Sequence, residues 1–277
     1  MPRFTRSVDN AAMSEPGEHD NEHRQNEVWR TVLMGETRGL DRTRRIVGWM
    51  PAGPRCKLCL APLRPPGSVV LKPFGFGQSK LNRRLCRACF KHIEKHPGGA
   101  EIELTLLFAD VRGSTRLAER MPAQEFSRLV SRFYGTAARV VDGWNGLVDK
   151  FVGDEVVALF VPGFAGEDHA SRAIGAGREM LRETGNDGPE PWVPIGAGVH
   201  TGVAFVGRVG EGDACDFTAV GDAVNTTARL ASSAGVGELL VSRAAAQASG
   251  FDPSGLESRT LELRGRAEMV DALVARA

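Results

Sequence analysis

The chain has 277 residues, 42% of them hydrophobic, which is enough to bury the core of one large domain or of one ordinary domain plus a small module. No apolar run reaches the roughly 18–20 residues of a membrane span, and the polar N-terminus lacks a signal-peptide core, so the expected setting is cytoplasmic. The net charge of +1 conceals an asymmetry, with thirteen Lys/Arg against two Asp/Glu from Asp41 to His96 and an acidic balance beyond residue 100. The basic stretch suits an anionic partner such as nucleic acid, lipid headgroups or an acidic protein face, or is simply a solvated surface.

Residues 1–25 are polar and without periodicity, which predicts disorder. Residues 26–50 place Val28, Val32, Leu33, Leu40, Ile46 and Val47 at roughly helical spacing, broken near Gly35 or Gly39. Residues 51–97 are rich in Pro, Gly, Arg and Cys and have too few aliphatics for a core of their own, so a staple is required. Cys56-x-x-Cys59 and Cys86-x-x-Cys89 supply one. In a cytosolic chain such pairs signal metal ligation before disulfides, with tetrahedral zinc the first expectation. The 26-residue gap between the pairs exceeds the usual ribbon spacing, and an iron–sulfur cluster or a redox-switched pair is the alternative. His92 and His96 are spare ligands, and Cys215 stands alone. "HPGGAE", from His96 to Glu101, is expected to be a linker.

From Glu101 the texture changes. "EIELTLLFAD" predicts a buried strand; Pro122 opens a helix whose inner face carries Phe126, Leu129, Val130, Phe133, Val140 and Val141. "LVDKFVGDEVVALF" predicts a two-stranded hairpin, "GEDHASRAIGAGREMLRE" a helix, and "WVPIGAGVHTGVAFVG" a strand or hairpin. "VGDAVNTTARLASSAG" predicts a helix, "ELLVS" a strand, "RAAAQAS" a short helix, and "RTLELRG" and "MVDALVA" closing strands. The order β-α-β-β-α-β with a further α/β tail is a ferredoxin-like α+β arrangement, preceded here by the small cysteine module.

Three patterns in residues 101–277 carry chemistry. Asp110 ends a buried strand in "LFADVRGST"; Asp154 sits in the hairpin turn; Asn225 and Arg229, four apart, share one face of a helix. Each alone fits a cap, a turn or a surface pair. Together, with "GVHTG", "DFTAVGDAVNTTARL" and "ELRGRAEMVDALV" in order, they resemble the catalytic domain of the class III nucleotidyl cyclases.

The resemblance implies a set of roles. Asp110 and Asp154 match two metal-binding aspartates, and the Val111 carbonyl a further metal contact, for two Mg²⁺ or Mn²⁺ per site. Lys150 and Thr218 match the pair that reads the purine, Asn225 the residue that orients the ribose, and Arg229 the one that stabilises the transition state. Arg264 or Arg266 stands where the family often carries a Lys near the terminal phosphates; Glu155 matches no standard ligand. Guanine-selective members typically carry Glu at the lysine position, so the Lys/Thr pair implies ATP, with some use of GTP because a hydroxyl can also donate. The family's site lies between two catalytic domains, which implies a homodimer with shared sites. The turn "VGDEV" has a superficial likeness to diguanylate cyclases, but the Asn225/Arg229 helix does not belong to them. The remaining rival is a silent dimerisation domain attached to a basic zinc module that binds nucleic acid.

Overall fold

The computed structural model describes residues 16–36, 46–47, 50, 55–56, 58–79, 85–95, 98–211, 216–261 and 269–277. Its centre is one eight-stranded sheet ordered β2-β3-β1-β4-β6-β8-β7, with β5 pairing the far end of β4. The strands are β1 (Gly99–Val111), β2 (Leu147–Val152), β3 (Glu155–Phe160), β4 (Ile195–Val209), β5 (Asp216–Val220), β6 (Leu239–Ser242), β7 (Glu257–Leu261) and β8 (Val270–Ala275). The β2-β3-β1-β4 portion is antiparallel throughout, as a ferredoxin-like arrangement requires. β6 then joins parallel to β4 after a helical crossover.

Helices are α1 (Pro16–Met34), α2 (Gly67–Leu71), α3 (Arg87–Lys95), α4 (Ser114–Arg120), α5 (Ala123–Gly143), α6 (Pro162–Ala165), α7 (His169–Glu183), α8 (Asp222–Ser233) and α9 (Arg243–Ser249). The 3.6-residue spacing of α5 puts Phe133, Ala137, Val140 and Val141 on one stripe, which packs with Ala173, Ile174 and Met180 of α7 over one sheet face. β1 offers Leu107, Ala109 and Val111 to that face. Its alternate residues Ile102, Leu104, Leu106 and Phe108 point to the other. A strand buried on both sides has no polar face to show, which is why "LLF" is continuously apolar.

The second face is covered by the N-terminal part of the chain. Trp29 and Leu33 of α1, with Cys56, Leu58, Cys59, Leu63, Leu85 and Cys86, join Ile102, Leu104, Val206 and Phe217 in one continuous core. The Trp29 ring lies 5.4 Å from that of Phe217. Two differences from the sequence reading follow. α1 begins at Pro16, inside the stretch expected to be disordered, and β1 begins at Gly99, inside the expected linker. Gly99 and Ala100 pair with β4, and the described side chains Trp29 and Leu33 of α1 pack into the core of the sheet, partners that local composition does not reveal. Gly99 faces Gly207 across the β1–β4 ladder so closely that a Cβ on Gly99 would stand 2.5 Å from the Val206 carbonyl oxygen.

Among the described residues no helix is long and apolar enough to cross a membrane. Arg55, from the basic stretch, spends its guanidinium on the carbonyls of Val47, Met50 and Leu60 at 2.9–3.2 Å.

Candidate active site

The β2–β3 hairpin turns through Gly153 and Asp154. Gly153 has φ +59°, a left-handed conformation that glycine adopts without a Cβ penalty. Its carbonyl accepts a hydrogen bond from the Tyr134 hydroxyl, and the Tyr134 ring stacks on Phe151 with centroids 4.1 Å apart. Tyr134, the chain's one tyrosine, thus anchors the turn that carries Asp154, a role the sequence reading did not assign.

Asp110 lies in register with Glu155 across the β1–β3 ladder, and Asp154 is the next residue on the turn. The structure therefore gathers three carboxylates, including the Glu155 that the family pattern left aside. Burial pushes the Asp110 carboxyl up to about 6 against the pull of the Arg112 guanidinium, and its contact with Asp154 adds to the rise. Glu155 is pushed up to about 7, by burial first and then by the charges of Asp110 and Asp154. Crowded, half-buried carboxylates lacking sufficient positive charge are a donor set that fits hard divalent cations. Arg112 is the local counter-ion: it pairs with Asp110 and ties it to α8 by donating to the Ser232 and Ala234 carbonyls at 2.9 and 3.3 Å. Val111 closes β1 with its side chain buried against the helical face.

On the hairpin's other end Lys150 and Thr218 come together through a residue the sequence reading missed. Asp149, 1% exposed, accepts a 2.6 Å hydrogen bond from the Thr218 hydroxyl, and its same oxygen Oδ2 lies 3.5 Å from Lys150 Nζ. Asp149 and Lys150 line a cleft of about 180 Å³ walled by Leu106, Phe108, Val157 and Ala219, and Thr218 stands behind it, joined through Asp149. Apolar walls with a few fixed polar groups at one end suit a flat heteroaromatic ring.

Asn225 and Arg229 project from the outer side of α8, while Ala223, Thr226, Thr227 and Leu230 form its buried side. The helix sits hard against β4, since a Cβ on Gly198 would meet the Ala231 nitrogen at 2.4 Å. Gly198→Val is expected to force α8 outward, costing about 1–3 kcal/mol in denaturant titration and lowering turnover by displacing Arg229. Arg264 and Arg266 lie outside the described residues.

In the N-terminal module the four sulfurs of Cys56, Cys59, Cys86 and Cys89 lie within 4.8 Å of one another. Cys59 and Cys86 sulfurs are 3.6 Å apart, and all four cysteines are free of disulfides. The Cys86 amide donates to Cys56 Sγ at 3.3 Å, and the Cys89 amide to Cys86 Sγ at 3.4 Å, the amide-to-sulfur bonds that support thiolates. Burial opposes ionisation of Cys56, yet sulfur hydrogen bonds hold it well below its ordinary value. The Cys56 sulfur in turn is the largest cause pushing Cys59 and Cys89 up. Crowded sulfurs of which Cys56 and Cys86 are held down and Cys59 and Cys89 pushed up are relieved by a cation among them, so this cluster fits a tetrahedral metal ion.

Comparison with known proteins agrees with this geometry. The family model described as "Adenylate and Guanylate cyclase catalytic domain" matches residues 100–274, more than half of the chain. Curated relatives include the adenylate cyclase of Anabaena cylindrica, 33% identical over 135 residues, which are 46% of this chain and 26% of that protein. An uncharacterized protein of Mycobacterium tuberculosis is 31% identical over 177 residues, 62% of this chain and 32% of that one. The chain thus spans about a quarter to a third of these curated relatives' length. Among solved structures, the guanylyl cyclase Cya2 is 31% identical with a TM-score of 0.58, covering 64% of this chain and 93% of that one. The adenylyl cyclase CyaB from P. aeruginosa is 26% identical with a TM-score of 0.55, over 64% and 95% of the two chains. With the ferredoxin-like sheet, the carboxylate-bearing hairpin and the match over most of the C-terminal two thirds, the chain belongs to the family of adenylate and guanylate cyclase catalytic domains.

Proposed function

We propose that the protein is an adenylate cyclase, converting ATP to 3′,5′-cyclic AMP and pyrophosphate for intracellular signalling. The observation that carries this reading is the convergence of Lys150 and Thr218 on one buried carboxylate beside an apolar cleft. Lys150 donates to adenine N1, and the Thr218 oxygen accepts from the N6 amino group. Asn225 holds the ribose so that its 3′-hydroxyl faces the α-phosphorus, and Arg229 places its rigid guanidinium fork on the charge that develops there. Asp110 and Asp154, with the Val111 carbonyl, would hold two Mg²⁺ or Mn²⁺ ions. Bound there, such ions lower the pKa of the attacking hydroxyl and neutralise the β- and γ-phosphates. Arg264 would reach the terminal phosphates.

The active unit in this reading is a homodimer. One protomer supplies Asp110 and Asp154, and its partner supplies the base, ribose and transition-state residues. The 51–97 module holds structural zinc through Cys56, Cys59, Cys86 and Cys89, and reduced cysteines accord with a cytoplasmic setting.

The test is direct. Full-length protein with Mn²⁺ and ATP is expected to yield cyclic AMP, with GTP converted far more slowly in a parallel reaction. Preferential cyclic GMP formation would make the chain a guanylate cyclase, in keeping with its likeness to Cya2. No cyclic product from either nucleotide would leave a dimerisation domain.

A further inference from the structure

The placement of Asp149 is unusual for its position in the sequence. Consecutive residues of a regular strand face opposite sides of a sheet. Yet Asp149 and Lys150, neighbours on β2, both line the cleft. The ladder explains this: Val148 pairs with Ala158 and Lys150 with Val157, so β3 advances one residue while β2 advances two, and Asp149 is the extra residue of a bulge. The bulge delivers a carboxylate beneath both base-reading side chains.

The Thr218 hydroxyl has one hydrogen and two potential acceptors. Asp149 Oδ2 lies at 2.6 Å and the Ala219 carbonyl oxygen at 3.5 Å. The shorter contact, to a carboxylate, takes the proton. That leaves only lone pairs on Thr218 for a base held beside Asp149 and Lys150. An oxygen restricted to accepting fits the 6-amino group of adenine and opposes the 6-oxygen of guanine.

Resting on the adenylate cyclase reading above, we propose that Asp149 is a specificity-determining positioning residue. By holding the Thr218 proton, and Lys150 beside it, it fixes the donor–acceptor pattern that selects adenine. Asp149 does not contact the reacting phosphate, so its effect falls on the choice among bases and not on the chemical step. Without it, the Thr218 hydroxyl is free to turn and donate to a 6-oxygen.

The experiment measures kcat and KM of the full-length chain with ATP, GTP and purine riboside triphosphate, which lacks any 6-substituent. Wild type, Asp149→Ala, Thr218→Val and the double variant are compared. The wild type is expected to favour ATP over both others by at least about tenfold. Asp149→Ala is expected to erase about tenfold of that preference, chiefly through KM for ATP. In the Thr218→Val background, removal of Asp149 should leave the ratio of ATP to purine riboside triphosphate unmoved, because both rings offer N1 to Lys150 and only the Thr218 contact tells them apart. Should circular dichroism show Asp149→Ala unfolded, Asp149→Leu, which keeps the shape but offers no acceptor, replaces it, with the same direction expected. Equal losses on all three substrates with unchanged ratios would overturn the proposal and leave the cyclase reading standing. So would a wild type indifferent to the 6-amino group. A wild type that cyclises none of the three overturns the cyclase reading, and this inference with it.

Discussion

Arg229→Ala lowers kcat for ATP by about 10²–10³-fold with little change in the fold, by analogy with removing one preorganised donor from an oxyanion site. The expectation rests on where the side chain stands. Arg229 projects from a helix whose opposite side is fixed in the core by Thr227 and Leu230, so truncation removes charge without a core cavity. Asp110→Ala should be at least as damaging, because it empties one side of the carboxylate cluster. The two variants also test the shared site. Mixed in equal amounts, they form heterodimers with one intact site and one doubly defective site, restoring about a quarter of the wild-type rate. Heterodimers that demonstrably form and stay inactive would refute the shared arrangement, and both variants retaining full activity would refute the assigned roles.

Stripping the metal from the cysteine cluster is expected to unfold far more than the module. Structural zinc contributes about 10–16 kcal/mol in zinc-finger peptides, against a total stability of about 5–15 kcal/mol for a typical domain. Cys56, Cys59 and Cys86 stand in the same core as Ile102, Leu104 and Phe217 of the catalytic sheet. Loss of an ion held there is expected to uncover that sheet face. Treatment with a zinc-selective chelator followed by assay in fresh excess Mn²⁺, or Cys86→Ser, should lower the thermal midpoint and abolish cyclase activity together. Metal analysis of the untreated protein should find about one zinc per chain. Activity and near-ultraviolet dichroism that both survive complete removal would show that the cluster does not hold the sheet.

The sequence disclosed most of the catalytic sheet because its segments are long, strongly periodic and bounded by Gly or Pro; α5, the β2–β3 hairpin, α7, α8 and β6 stand where their patterns put them. Asp154 was readable from its turn, and Asn225 and Arg229 from their four-residue spacing. β5 was given no element in the sequence reading, since "DFTAV" is only five residues long, although only six residues separate it from its partner β4. Asp149 escaped because simple alternation sets it opposite Lys150, and a bulge leaves no mark in residue type. Tyr134 and Arg112 escaped because their value lies in a carbonyl and a carboxylate that only folding brings near. The packing of α1 and the cysteine module on the sheet was equally invisible, as nothing local to residues 16–97 names what they lie against.

The contact between Gly99 and Gly207 has a mechanical meaning. β1 is thirteen residues long, a span of about 40 Å at strand rise. Along its length it packs against α1, walls the cleft with Leu106 and Phe108, and at its end presents Asp110. Sliding this strand by a single position would reverse all of these at once. Two facing residues without side chains, close enough that even a methyl group would collide, act as a detent that seats the strand in one position only.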